Sequence, residues 1–396
     1  FHVNPGIIRK LHINQGNDKI NLEKVENNRW VVDGLRAQEI DKKAVNNLIN
    51  AVCNLRFEKI IQDDSHDFNI FGLSFPNTYI TVEGDNGYRE TLLLGSQTPV
   101  GLGYYAKLEK DKKVWTISNG MVDSFIVTKD DLREKRIFKS SIDDINGIRL
   151  IRRVVDDITD VICQKEDGVW FIKSPINDKA DEEIIDIILQ DVTSLTINKF
   201  IDYEGFNLSD FGIDKPQLRI DITARDLESG FQIFVGNLAQ DGKGFFIKTS
   251  NSPSIYLVRP LRFSPFQLSP QDLVERQLVR LDEEISFIAT WEFNGKLFKY
   301  KLSESDALIS ALENVQIVAV GENLGYDIDL ESFGFYDPYI FIQFNSNNGN
   351  RYEVKIGKEL EDGFYATTTG RNFIYVVSKD GVDELYKILK DLPSGK

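Results

Sequence analysis

The sequence predicts an α+β protein of three tandem repeats, each an antiparallel β-sheet with one or two packed helices. Three observations carry this. The pattern [Asp/Asn]-[Phe/Leu]-x-x-Phe-Gly-[Leu/Ile/Phe]-x-x-Pro occurs at 67–76 (DFNIFGLSFP), 207–216 (NLSDFGIDKP) and 329–338 (DLESFGFYDP). From its glycine to a second glycine that ends an apolar strand is 23, 24 and 23 residues: Gly72 to Gly95, Gly212 to Gly236 and Gly334 to Gly357. An aromatic strand then follows, GYYAKL (103–108), GFFIKT (244–249) and GFYATT (363–368), and ten residues beyond its second aromatic stand Trp115, Tyr256 and Tyr375. A register held at so many points marks a repeat, and 396 residues are enough for three copies. Boundaries near 140 and 280 give units 1–140, 141–280 and 281–396. The third is trimmed: Trp30 to Gly72 and Trp170 to Gly212 span 42 residues, Phe298 to Gly334 only 36.

Each copy opens with a β-hairpin, DVICQKEDGVWFI (160–172) in the second and TWEFNGKLFKYKL (290–302) in the third, where Asn294-Gly295 supplies the positive φ of a type I′ turn. A helix follows. Ala44, Val45, Leu48, Ile49, Val52 and Leu55 recur at helical spacing, as do Ile184, Ile185, Ile188, Leu189, Val192 and Leu195, then Ala307, Leu308, Leu312 and Val315. In the motif, Asp67, Asn207 and Asp329 are placed to cap a single helical turn. The pairs Phe68/Phe71, Leu208/Phe211 and Leu330/Phe333 share one face and are expected to plug the helix–sheet interface. Gly72, Gly212 and Gly334 stop the turn in a left-handed conformation, and Pro76, Pro216 and Pro338 open the next strand where a missing N–H does no harm. The motif therefore reads as scaffold. About four antiparallel strands come next, PNTYITVEG, ETLLLG, GYYAKL and VWTIS in the first copy, and each copy closes with a helical stretch near 121–136, 265–278 or 381–391. In the second of these, Ser269 is a cap and Pro270 the first helical residue.

No familiar catalytic signature competes with this architecture. His2, His12 and His66 are the only histidines, all in the first copy, and no Gly-x-Ser-x-Gly elbow occurs. The stretch DDSHD (63–67) contains metal-ligand residue types but has no counterpart in the other copies and reads as a polar loop. Pro99-Val100-Gly101-Leu102-Gly103 resembles a fragment of a dinucleotide fingerprint, yet it joins two strands and lacks the third glycine and the helix. Asp143-Asp144, Asp156-Asp157 and Glu182-Glu183 are neighbours that point apart, hence solvated surface. Cys53 and Cys163 lack metal spacing and are either one bridge or two buried thiols. Asn207-Leu208-Ser209 is a glycosylation triplet lying inside the motif. No catalytic, cofactor or metal residue is predicted, and binding residues are not identified. A net charge of −15 excludes nucleic acid as a partner, and the basic run Arg149–Arg153 (RLIRR) is broken by Leu150 and Ile151 as in an ordinary strand. No apolar run approaches the roughly 18 residues of a membrane span. Of the paired aromatics in GYYAKL, GFFIKT and GFYATT, one must face away from its neighbour. Core packing is the expectation; stacking on sugars or pairing with a partner's strand is the alternative.

The order Trp30, helix, Phe71-Gly72-Leu73-x-x-Pro76, Leu94-Gly95, Gly103-Tyr104-Tyr105-Ala106, Val114-Trp115, Leu132-Arg133-x-Lys135 resembles domain of unknown function 4340, a bacterial family found beside gliding-motility-type ABC transporter genes. The resemblance covers essentially the full chain, best in the first two copies; the third lacks the Leu-Arg-x-Lys segment. It implies an extracytoplasmic ectodomain, on the periplasmic or cell-surface side, anchored to the inner or cytoplasmic membrane by an N-terminal helix upstream of Phe1. It implies a non-enzymatic accessory or scaffold subunit of an envelope ABC transporter or motility-linked complex, with permease, ATPase or other envelope proteins as partners. A polysaccharide- or lipid-binding module is the alternative, and a hydrolase would need a convergent polar cluster in a cleft. No catalytic residues carry over.

Overall fold

Alternating apolar residues build three antiparallel sheets in the computed structural model, which describes residues 3–154, 157–201, 206–259, 266, 268–280, 288–293, 296–301, 307–325, 328–345 and 351–392. Sheet dominates and helices are few. The first sheet holds β1 (Ile8–Gln15), β2 (Asp18–Val25), β3 (Arg29–Val32), β4 (Ile60–Gln62), β5 (Thr78–Gly84), β6 (Arg89–Gln97), β7 (Gly103–Leu108) and β8 (Val114–Ser118), in the order β3-β2-β1-β5-β6-β7-β8-β4. The second holds β9 (Ile145–Val154), β10 (Asp157–Glu166), β11 (Val169–Ser174), β12 (Asp178–Lys179), β13 (Ile197–Ile201), β14 (Leu218–Ala224), β15 (Phe231–Leu238), β16 (Phe245–Thr249) and β17 (Ile255–Val258), in the order β12-β11-β10-β9-β14-β15-β16-β17-β13. The third holds β18 (Ile288–Phe293), β19 (Lys296–Lys301), β20 (Ile317–Asn323), β21 (Ile340–Asn345), β22 (Arg351–Glu359), β23 (Gly363–Thr368) and β24 (Phe373–Ser378), in the order β19-β18-β21-β22-β23-β24-β20. All three sheets share one plan. An opening meander joins, through its first strand, a four-strand meander whose last strand pairs with the strand following the helix.

That plan corrects the expected equivalence of the opening hairpins. β1, β9 and β18 are the strands that pair with β5, β14 and β21. Residues 160–172 therefore belong to the second turn of a meander (β10–β11), whereas 290–302 contain its first (β18–β19). Trp30 and Trp170 sit on third strands, Phe298 on a second. Every strand of a meander carries the same period-two pattern, so periodicity alone does not say which strand is which. Asn294-Gly295 lies outside the described residues.

The main helices α1 (Lys42–Cys53) and α3 (Glu182–Thr193) form where the apolar spacing predicts them. Asp41 caps α1 by accepting from the Lys43 and Ala44 N–H groups at 2.8 and 3.1 Å; Asp181 caps α3 through Ile184 N–H at 3.2 Å. Each satisfies donors that a helix start leaves open, worth about 1 kcal/mol. The closing helices differ from expectation. In the first copy α2 covers only Asn119–Asp123, followed by a 3-10 turn at Lys129–Leu132; in the second, a 3-10 turn at Pro270–Leu273 follows the predicted cap Ser269. Capping boxes Thr128/Asp131 and Ser269/Asp272 close one turn, after which the backbone extends to bridge Ile40 with Arg133 and Ala180 with Val274. In the third sheet, α5 (Lys379–Asp391) is a full helix that packs on β23, β24 and α4 (Ala307–Glu313).

The chain divides into two compact units, 1–135 and 136–396. In the first, Val45, Leu48, Ile49 and Val52 of α1 cover Leu11, Ile80, Val82 and Ile117 of the sheet. In the second, one continuous core runs from Ile137 to Leu389 and includes residues of both sheets and of α3, α4 and α5.

Candidate functional site

The repeated motif is built the same way three times. Asp67 Oδ1 accepts from Asn69 N–H at 2.9 Å, Asn207 Oδ1 from Ser209 N–H at 3.3 Å and Asp329 Oδ1 from Glu331 N–H at 3.1 Å. Gly72, Gly212 and Gly334 stand at φ of 68°, 67° and 79°, left-handed as expected. The N–H groups after them close each turn on the carbonyls of Phe68, Leu208 and Leu330 at 2.9, 3.0 and 3.1 Å. The second recurrent glycine follows from this turn. A Cβ on Gly95, Gly236 or Gly357 would overlap the carbonyl oxygen of Phe71, Phe211 or Phe333, so the turn rests directly on the strand end.

The motif covers the sheet face opposite the helix, not the helix–sheet interface. Phe71 and Leu73 pack with Val114, Leu93 and Tyr105 in a cluster of their own, while Leu92 and Leu94 belong to the core beneath α1. Phe211 and Ile213 do the same with Ile255, Phe234 and Phe246, leaving Ile233 and Val235 to the main core. Side chains on a strand alternate between faces, so a second apolar layer is needed wherever both faces carry apolar residues. The i, i+3 pairing is also incomplete, since Leu208 remains 36% exposed.

These clusters use up the aromatic strands. Tyr105, Phe246 and Tyr365 meet Phe71, Phe211 and Phe333 edge-on at 5.0, 4.8 and 4.9 Å between centroids. Their neighbours Tyr104 and Phe245 pack against the helix-side cores, and Phe364 is buried against Tyr339 at 5.2 Å. These aromatics are layered packing, and among the described residues they form no row of exposed rings across the sheets. Just beyond, Lys107 is buried, donating to the Glu109 carbonyl at 2.9 Å with its ammonium 4.9 Å from the Phe68 ring; burial lowers its pKa.

The remaining candidates do not converge. Asp63 and Asp64 are exposed and paired with Lys113 and Lys112 at 3.1 and 3.2 Å, and His66 Nδ1 lies 3.9 Å from Asp64. Residues 99–102 lie in the loop between β6 and β7, and Gly103 opens β7. Asp143 and Asp144 lie in a 3-10 turn, Glu182 and Glu183 in the first turn of α3, and Asp156 is outside the described residues. Arg149 forms a two-bond pair with Asp160 across β9 and β10, beside the Arg219–Asp221 pair on β14. Cys53 and Cys163 are buried free thiols, which burial pushes up to about 11 and about 12; they are thiols, not thiolates, near neutrality.

Sequence reasoning missed two features. The first is a buried ionic clasp in 136–396. Arg371, 4% exposed, donates Nε to Asp178 Oδ1 at 3.0 Å and Nη2 to Asp178 Oδ2 at 3.2 Å; Asp178 is 1% exposed. Arg371 Nη1 donates to the Gln277 carbonyl at 2.7 Å and Nη2 to the Glu275 carbonyl at 3.0 Å, while Tyr375 donates its hydroxyl to Asp178 Oδ2 at 2.5 Å. Burial first, then Asp178, raise the Tyr375 pKa against the pull of Arg371, keeping the phenol a donor. These residues are about 190 positions apart in single copies, so no pattern announces them.

The second is a divergence between copies on one backbone. Residues 98–103 and 239–244 form the same loop: Thr98 and Ala239 N–H bond to the Gly103 and Gly244 carbonyls, both at 2.8 Å, and Gly101 and Gly242 have φ of 71° and 68°. Its tip carries Val100 and Leu102 in the first copy, Asp241 and Lys243 in the second. In the adjoining motif, Ile70 and Phe75 stand where the second copy has Asp210 and Lys215. Ile70, Phe75, Val100 and Leu102 are 68%, 92%, 77% and 74% exposed. Aligning the copies side by side would have revealed this signal.

Fold and motif together define a tandem-repeat protein of antiparallel sheets, each sealed on one face by a capped Phe-Gly turn. The chain belongs to the family described as Domain of unknown function (DUF4340), whose model matches two tandem copies at residues 30–167 and 170–305. These matches begin at Trp30 and Trp170, so the family unit is phased from the third strand of one opening meander to the second strand of the next. No curated protein and no solved structure matches the chain.

Proposed function

We propose that this chain is a non-enzymatic, extracytoplasmic scaffold subunit of an envelope ABC transporter or motility-linked complex, docking an envelope protein through the apolar tips of its first sheet. The third sheet, in this reading, is a third, trimmed copy of the α+β repeat. The observation that carries the reading is the exchange at the tips. Four exposed positions are apolar in the first copy where the same backbone bears two aspartates and two lysines in the second. Exposed apolar side chains gathered in one region mark interaction sites, and these four stand in one loop and in the turn that rests on the strand leading into it. The other repeated features are spent on packing, which suits a spacer. The membrane setting and the transporter partners come from the family resemblance. The test is purification of the protein from its native host in mild detergent, with mass spectrometry of what remains bound. An ABC permease and ATPase at comparable abundance are expected; recovery of the protein alone in several detergents would contradict the proposal.

A further inference from the structure

A second site stands apart from the tips, between β3 and the start of α1. There a cleft of about 370 Å³ is lined by Trp30, Ile40 and Val45 together with Arg29, Lys42 and Asn46. Its volume lies within the range of small-molecule sites, as does its composition of apolar side chains with a few polar groups. We infer that this cleft binds a small organic anion, its acidic head held by Arg29 and Lys42 and its apolar body against Trp30.

Three observations support this. First, among the described residues neither Arg29 nor Lys42 has an ion-pair partner, in a chain with 62 acidic residues and 47 Lys and Arg. Arg offers a planar fork suited to a carboxylate or phosphate, and a nearby lysine adds a point charge. Secondly, Lys42 and Lys43 occupy the first turn of α1, where cations oppose the helix dipole at a cost of about 0.3–1 kcal/mol each. The Asp41 carboxylate already takes the first free N–H groups, so these lysines do not serve the helix cap. In α3 the equivalent residues are Glu182 and Glu183, as helix stability favours.

Thirdly, the second copy lacks the site at the same place. An offset of 140 relates Trp30 to Trp170, the caps Asp41 to Asp181, and the motif glycines Gly72 to Gly212. By that offset Arg29 becomes Val169, Lys42 becomes Glu182 and Asn46 becomes Asp186. One cation becomes a neutral residue and the other an anion, and the asparagine becomes a second anion. A lysine ammonium stands over the indole in both copies, Lys24 5.8 Å from the Trp30 centroid and Lys165 5.9 Å from that of Trp170, but Trp170 is 2% exposed whereas Trp30 is only half-buried. The scaffold therefore does not require these cations around an accessible indole.

The probe for the test is 1-naphthoate, compared with the neutral 1-naphthylmethanol and with inorganic phosphate, by titration calorimetry on the whole chain. The expected result is saturable naphthoate binding, at least about tenfold weaker for the alcohol and undetectable for phosphate at the same concentration. Phosphate binding as tight as naphthoate would contradict the requirement for an apolar body. Arg29→Val with Lys42→Glu, the residues of the second copy, should weaken naphthoate at least about tenfold with an unchanged melting temperature. If that variant is less stable, Lys42→Gln alone should still weaken binding, and Lys43→Gln, which changes a helix lysine outside the lining, should not. Absence of naphthoate binding up to several millimolar, or equal affinity in the cleft variants, would overturn the inference.

Discussion

Gly212 shows how far a single residue can be understood from sequence. Its recurrence between a phenylalanine and an apolar residue, four positions before a proline, indicates a left-handed turn end, and the structure places it at φ 67°. The sequence does not reveal what the added Cβ would meet: the side chain and backbone N of Asn237, which belong to the strand end beneath. Gly212→Val is therefore strained in backbone and crowded in space, at a cost of roughly 1–2 kcal/mol for the conformation alone. A fall of about 5 °C in melting temperature is expected by calorimetry. An unchanged melting temperature with loss of partner binding would mean that the turn is a site and not a scaffold. The capping residues Asp67, Asn207 and Asp329 were equally legible, because a cap is a local interaction over two positions.

At the scale of elements, what is local was readable and what depends on a partner was not. α1 and α3 follow from their apolar spacing, but the stretches near 121–136 and 265–278 are short turns, because their capping boxes end in residues that extend to bridge another strand. The face covered by the motif is hidden from the sequence for the same kind of reason: Phe71 and Phe211 have a face only relative to Tyr105 and Phe246, on strands some 35 residues away. The Asp178–Arg371 clasp is the extreme case, joining β12 to the β23–β24 turn. Removing one partner of a buried pair leaves the other charged and unsolvated, at about 3–5 kcal/mol. Arg371→Met should lower the melting transition of 136–396 by on the order of 10 °C. Asp178→Leu added to it should recover part of the loss, since no carboxylate is then stranded. A single variant melting within a degree of the parent would show that the clasp holds nothing together.

For the whole molecule, the repeat is the part written most plainly in the sequence, and departures from it are the part that bears on function. Three sheets share one strand order, yet the second and third also share one core, and the first lies in a unit of its own. Compared with the second copy, the first carries apolar tips in place of charged ones and a cationic cleft in place of acidic residues. The proposed role assigns recognition to that copy and support to the repeated features. The most direct measurement converts the tips to their second-copy equivalents, Ile70→Asp, Phe75→Lys, Val100→Asp and Leu102→Lys together, and records both melting temperature and recovery of the permease and ATPase from the native host. Because the same backbone already bears these residues at the second sheet, the melting temperature should be unchanged and the partners should be lost by at least about tenfold. Undiminished recovery of the partners by the stable variant would contradict the proposed role.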